Sequence, residues 1–542
     1  MSESDLVTVP PTTRGGACAV RPFRDSLLAM LGIALVNMLV ALDQTVVSTA
    51  LPSILSELEG FQYYAWMASA YLLASVVTVP IFGRLGDYFG RKPFVVAAVI
   101  TFTAASVLCG IAPSMLTLVL ARGLQGVGGG MMVGTAFAAI PDLFPDPRTR
   151  VRWQVVMAGA YGIGTAAGPS LGGFLSEHYG WRSTFLVNLP VGLAGLYCVV
   201  RHLPNFRRAV QGKVRIDWLG AVLLSIALAC LQMCVEDLPR RGLETGTVVL
   251  LVTTLVSGAA FLACERRALH PIVPLALFDN SKLVVLFTLS MLAGVAMFSL
   301  IFFAPLLLQG GFGMSPQQAG LIATPLPVCI AAGSLLNSHI VVRLKKPTTI
   351  LSAGFLLLLV ACLGVAMTYR YTPLLLLEIA LGCGGVGLGF VLNNMNVFVQ
   401  EIAGRENFGI ATALMQSTRM VGGMIGTAAV GTIVARSYAG GVSDALAHLT
   451  TATNAAQWSA RLSDPQVLID AGTRAMTLTQ LAEAGIDGPE ILNLSRQLLV
   501  GSIHTGVLFV AMAIAAAVIL VRRIPDVTLH AKPASTVVES GH

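Results

Sequence analysis

Residues 121 to 130 read ARGLQGVGGG and residues 377 to 386 read LEIALGCGGV. Laid at an offset of 256, Gly126, Gly128 and Gly129 fall on Gly382, Gly384 and Gly385, and Arg122 falls on Glu378. The basic turn Arg91-Lys92-Pro93 meets Lys345-Lys346-Pro347 at an offset of 254, and the string IGTAA recurs from Ile163 at Ile425. Both decapeptides lie in apolar runs of the length that a bilayer-spanning helix needs, about 20 residues. With charged and Pro/Gly-rich breaks as boundaries, fourteen such runs follow one another along the chain. The expectation is an all-α integral membrane protein with 14 transmembrane helices, in which six helices repeat as six around a two-helix insert. Parallel repeats of this kind place a substrate site at their interface near the bilayer midplane.

Composition excludes the soluble alternatives. Of 542 residues, 34 are Lys or Arg and 27 are Asp or Glu, a charged fraction of 11% where a soluble protein carries about 25%. The hydrophobic fraction is 55% and the mean hydropathy +0.78, more apolar surface than one globular core can bury, so the surplus faces lipid. The net charge of +7 is then read against loop position, not as a nucleic-acid signal. Nine Cys, none in a CxxC pair, read as small buried hydrophobes; no disulfide framework and no metal site is implied.

The expected organisation is a cytoplasmic tail over 1–25, a six-helix bundle over 26–202, an insert with its linkers over 203–283, a second bundle over 284–524, and a tail over 525–542. With the N-terminus inside, 24 of the 34 basic residues fall on the cytoplasmic side and 8 opposite, leaving Arg122 and Arg419 within the membrane. That bias puts both termini in the cytoplasm. The basic N-terminus and Ser48-Thr49-Ala50 resemble a signal peptide, but the apolar run is too long and contains Asp43. One outer connection, 437–500, is polar, too long for a turn and helix-like in QVLIDAGTRAMTLTQLAEAG; a tolerated insertion and a gate or partner surface are both open readings.

Ionisable residues inside apolar spans are costly and so point to mechanism. Asp43 in the first span is a carboxylate whose burial favours its gaining and losing a proton; the other reading is a permanent ion pair. Arg122 in the fourth span lies at the same depth, about 10–12 Å from the outer end at 1.5 Å per residue, and the two can meet. Arg122 then either senses the protonation of Asp43 or braces backbone carbonyls. Candidates for the substrate cavity are Asn37, Glu378, Asn393, Asn394 and Arg419. His339 and His504 read as interfacial polar residues. GVGGG lacks the strand of a dinucleotide loop and no GxxxxGK[ST] occurs, which argues against ATP drive.

Three motifs carry a resemblance. GRLGDYFGRKP, residues 83–93, resembles the loop 2-3 motif of the major facilitator superfamily, with Tyr88 where a basic residue is usual. GIGTAAGPSLGG, residues 162–173, resembles the motif that marks antiporters within that superfamily. LVALDQTVVSTALPSI, residues 39–54, is similar to the first-helix motif of its 14-helix drug:proton antiporter family, whose Asp is matched by Asp43. The resemblance covers residues 27–521. It implies a non-enzymatic, proton-coupled antiporter of the inner (plasma) membrane, exporting lipophilic and preferentially cationic compounds by alternating access. Asp43 and Arg122 would couple protons; Gly83, Asp87, Gly90, Arg91, Gly164, Gly168, Pro169, Gly172 and Gly173 would serve gating. No cofactor beyond the proton gradient is expected; the partners would be a small lipophilic molecule, protons and the bilayer, with a periplasmic adaptor left open and a monomer expected. An importer, or an exporter of an endogenous lipid or metabolite, shares the same fold. A membrane enzyme or receptor ranks last, since 437–500 offers no paired catalytic residues.

Overall fold

The computed structural model describes residues 23–524 apart from 59–65, 145, 205–216, 243, 269–270, 345, 347, 370–371, 405–406, 450–457, 460, 464–465, 470 and 484–486. Fourteen long helices are found among them. The first six are α1 (Phe23–Leu58), α2 (Trp66–Phe89), α3 (Lys92–Gly110), α4 (Met115–Leu143), α5 (Pro147–Tyr179) and α6 (Ser183–His202). Next come α7 (Trp218–Arg241) and α8 (Thr245–Glu265). The rest are α9 (Ser281–Leu306), α10 (Pro325–Ile340), α11 (Thr348–Ala366), α12 (Leu374–Ala403), α13 (Phe408–Leu449) and α14 (Gly488–Val521). Among the described residues, thirteen spans are long and apolar enough to cross a membrane, the one that holds α10 beginning at Gln318. The remaining long helix is α5, with 33 residues.

Local chemistry sets several helix ends. Ser114 and Thr117 form a reciprocal capping box at the start of α4, and Asp146 and Asp217 accept backbone N–H groups at the starts of α5 and α7. Gly90 turns the chain between α2 and α3 at φ 87°, a conformation that a side chain would strain.

The internal repeat reappears as packing. α1 packs on α5 and α6, α2 on α4, and α3 on α4 and α6. Eight helices later, α9 packs on α13 and α14, α10 on α12, and α11 on α12 and α14. The two halves meet where α2 and α4 face α13 and where α5 faces α10 and α12. Glycines permit these approaches: a Cβ on Gly128 would lie 2.6 Å from the Phe102 nitrogen, and one on Gly385 would collide with the Leu326 carbonyl.

α7 and α8 form a pair whose first member touches both halves, α2 on one side and α13 on the other. α8 leaves Leu255 and Val256 largely exposed, as lipid contact requires. The helix limits around the outer connection differ from the sequence expectation. α13 continues past 436 to Leu449 and α14 begins at Gly488, not 501, because their polar outer turns keep helical periodicity beyond the apolar run. Between them lie short helices, Gln466–Ile469 and Ala471–Glu483, within the stretch that reads as helix-like.

Candidate functional site

Asp43 and Arg122 meet in the first half: Arg122 Nη1 lies 2.5 Å from Asp43 Oδ2, with the residues 1% and 3% exposed. Asp43 also accepts hydrogen bonds from Gln125 Nε2 at 2.8 Å and Asn188 Nδ2 at 3.0 Å. Gln125 and Asn188 both donate to Ser106 Oγ, at 2.7 and 3.2 Å. Arg122 Nη1 further donates to Gln125 Oε1 at 2.7 Å, its Nε to the Met67 carbonyl at 3.3 Å, and its guanidinium stands 4.8 Å from the Tyr71 ring. Three helices, α1, α4 and α6, thus meet at one carboxylate, α3 joins the network through Ser106, and Arg122 reaches a fifth helix, α2.

Arg122 both pairs with Asp43 and donates to a backbone carbonyl, so the geometry contains the contact that each sequence reading requires. Gln125, Ser106 and Asn188 were missed. Gln125 had a signal, standing three residues from Arg122 on the same helix face; Ser106 and Asn188 had none, being single polar residues on other helices.

Arg122 also lines a cavity of about 430 Å³ on the seam between the halves. Its walls come from Gln44 of α1, Tyr71 of α2, Gln232 and Val235 of α7, Phe298 and Phe302 of α9, and Met420 to Ala428 of α13. A second cavity of about 300 Å³ lies on the other side of α9, between α5 and α10. Among the described residues, neither wall contains an Asp or Glu.

The other cavity candidates are placed differently. Glu378 is half-buried one turn inside the end of α12 and lines neither cavity. Its sequence register with Arg122 does not bring it to this wall, because the cavity is built from α9 and α13 in the second half. Asn37 donates to the Met157 carbonyl at 3.0 Å and ties α1 to α5. Asn394 donates to Asn337 Oδ1 at 2.7 Å and ties α12 to α10. Asn393 is buried, and its amide nitrogen has no hydrogen-bond partner among the described residues. Arg419, in the first third of α13, donates to Gln416, and no described carboxylate is within ion-pair reach. His504 is buried, with Tyr369 packed edge-on at 5.3 Å, while His339 is exposed and bonded to its own helix.

The gating candidates after α2 converge at the end of the bundle that carries the basic loops. Asp87 accepts the N–H of Gly409 at 2.8 Å and of Ile410 at 2.7 Å, capping the first turn of α13 from the opposite half. Arg91 pairs with Asp87 at 3.0 Å and with Asp142. A Cβ on Gly83 would collide with Ala413. Arg84 donates to the Pro271 carbonyl at 3.0 Å and Asn407 Oδ1 at 3.1 Å, while its guanidinium lies 4.4 Å from the Tyr88 ring. Tyr88 therefore supplies a cation–π contact where a basic side chain would have repelled Arg84. Arg150 of α5 pairs with Glu401 and bonds Gln400 of α12 at 3.3 Å, a second cross-half tie that the sequence did not reveal. The bundle is closed at this end.

In α5, Gly164 and Gly168 face α1: a Cβ on Gly164 would come within 2.6 Å of the Met38 carbonyl, and one on Gly168 would strike Thr45. Gly172 is buried, Gly173 has open space where a Cβ would go, and the Pro169 side chain lies outside the described residues.

Two repeated helical halves, a cavity on their seam and a buried ion pair that reaches its wall through Arg122 are the architecture of a membrane transporter. The comparisons with known proteins agree. A sequence model of the Major Facilitator Superfamily matches residues 33–427, and the chain belongs to that superfamily; it is a multi-pass membrane transport protein, not an enzyme. It is 31% identical over 415 residues to Multidrug transporter protein MdtP of Bacillus subtilis, covering 75% of each chain. It is also 31% identical over 408 residues, 75% of each chain, to the Tetracenomycin C resistance and export protein of Streptomyces glaucescens. The crystal structure of the human organic anion transporter MFSD10 overlays with a TM-score of 0.60 at 14% identity, covering 90% of this chain and 99% of that one. The proton:xylose symporter XylE gives 0.57 at 13% identity, with 94% and 98% covered. At these identities the two structures speak for the fold alone.

Proposed function

We propose that this protein exports lipophilic compounds from the cell in exchange for protons. The relatives named for drug export support the direction and the substrate class. The coupling rests on one observation: Asp43 is buried directly behind Arg122, and Arg122 is part of the cavity wall.

Ionised, Asp43 accepts three hydrogen bonds and neutralises Arg122. Protonated, it has lost its charge and must donate at one oxygen, so the network slackens and the guanidinium is left to find water. Free charge at an apolar wall needs hydration, and a lipophilic molecule resting there would prevent it. Substrate and proton therefore compete, as antiport requires. The closed end is read as cytoplasmic, with both termini on that side of the plasma membrane, so that α2, α5, α12 and α13 form the inner gate. The protein works as a monomer in the bilayer and needs no cofactor beyond the proton gradient. With no carboxylate among the described residues of either cavity wall, the reading does not require the substrate to be positively charged.

Reconstitution in proteoliposomes with an imposed pH gradient tests the reading, using a panel of cationic, neutral and anionic lipophiles. Gradient-dependent accumulation of at least one class is expected, together with proton movement in the opposite direction. Accumulation at equal rate with the gradient collapsed would remove the coupling.

A further inference from the structure

The two-helix insert looks like a spacer in sequence, yet α7 reaches the seam. It packs against α2 and α13, and Gln232 and Val235, one turn apart, are in the wall of the 430 Å³ cavity. Gln232 is 8% exposed, and its amide oxygen has no hydrogen-bond partner among the described residues. A buried polar group left unpaired is costly, about 1–3 kcal/mol, and is retained where something else completes it.

The surrounding wall narrows what that is. Tyr71, Phe298, Phe302, Met420 and Met424 present aromatic and thioether surfaces suited to a flat apolar body. The ionisable Arg122 is already committed to Asp43. An acceptor oxygen beside such a surface fits a neutral donor such as a hydroxyl or an amide N–H.

We propose that Gln232 is a specificity-determining residue, and that α7 belongs to the binding site, selecting aromatic lipophiles that carry a hydrogen-bond donor. This rests on the reading of the seam cavity as the substrate site. A site that hydrogen-bonds a substrate hydroxyl discriminates against the analogue lacking it, because its own polar group is then left unpaired.

The test uses tritiated 4-phenylphenol and its methyl ether, 4-methoxybiphenyl, binding to the full-length purified protein by scintillation proximity. Wild type should bind the phenol about tenfold more tightly than the ether. Gln232→Met should bring the ratio to about one by weakening the phenol alone, whereas Gln232→Glu, which keeps an acceptor oxygen, should preserve the preference. A wild-type ratio near one, a preference that survives Gln232→Met, or equal loss of both compounds in that variant would each overturn the assignment. Binding of both compounds without preference, or of neither to folded protein, would overturn the assignment and leave the export reading standing, which the gradient-driven flux of the three charge classes decides.

Discussion

Asp87 caps Gly409 across 322 residues of sequence: its carboxylate accepts the Gly409 N–H at 2.8 Å and so joins the end of α2 to the first turn of α13 in the other half. A second oxygen takes Ile410, and Arg91 holds the carboxylate in place. A charged cap on a helix N-terminus is among the stronger hydrogen-bonding arrangements, and this one exists only while the two halves are closed at the basic end.

Asp87→Asn keeps the shape but removes the charge, and one amide position becomes a donor facing donors. The closed state should lose about 1.5–3 kcal/mol, a tenfold or larger shift in population toward opening at this end. Cysteine-accessibility labelling should show positions near Ala413 gaining reactivity and positions in the opposite vestibule losing it. An unchanged pattern would remove Asp87 from the gate.

Asp43→Asn should abolish proton-coupled transport while protein remains in the membrane, since an amide cannot titrate. It also leaves Arg122 buried beside a neutral partner, a cost of about 3–5 kcal/mol. Arg122→Gln in the same chain should restore much of that stability without restoring transport. The thermal midpoint of the purified variants measures the first effect and gradient-driven flux the second. Wild-type flux in Asp43→Asn would end the coupling role.

The glycines of α5 should behave unequally. Gly164→Ala places a methyl 2.6 Å from the Met38 carbonyl and should destabilise by about 1–3 kcal/mol, because a backbone atom cannot step aside. Gly173→Ala meets nothing within 4 Å and should be neutral or gain up to about 1 kcal/mol from helix propensity. Similar thermal midpoints for the two variants would contradict this packing.

At the opposite end, Glu57 pairs with Arg182 and accepts Trp181 Nε1 at 2.7 Å. These donors hold its carboxyl below the ordinary 4.5. A depressed folded-state value contributes stability that is present above the unfolded-state value and is lost as pH falls through the folded one. Glu57→Gln should therefore melt below wild type at neutral pH and converge with it in strong acid. A difference that grows on acidification would reverse the sign.

Glu378→Gln should leave the rates for cationic and neutral substrates within about twofold of wild type, as for a partly solvated charge outside the cavity. Selective loss of cations would return Glu378 to the substrate path.

The amino-acid sequence by itself determined the membrane environment, the helical class, the repeat and the depth of Asp43 and Arg122. Each is local: an apolar run of a given length must cross lipid as a helix because no water is there to satisfy its backbone, and depth follows from counting residues along it. It also located the α2–α3 turn through its glycines and charges. The tertiary structure decided what those helices bring together. Ser106 and Asn188 carry no motif; the packing of α6 on α1 delivers Asn188 to Asp43, and that of α3 on α4 and α6 delivers Ser106 to Gln125 and Asn188. Asp87 and Gly409, or Arg150 and Glu401, are partners by closure of one half on the other. Glu378 shares its register with Arg122 yet stays away from the cavity, and Gln232 in the insert lies in its wall. The register of a repeat fixes which helix carries a residue and at what height. Which face of that helix meets the seam is set by the neighbours it packs against, a three-dimensional constraint that no linear spacing contains.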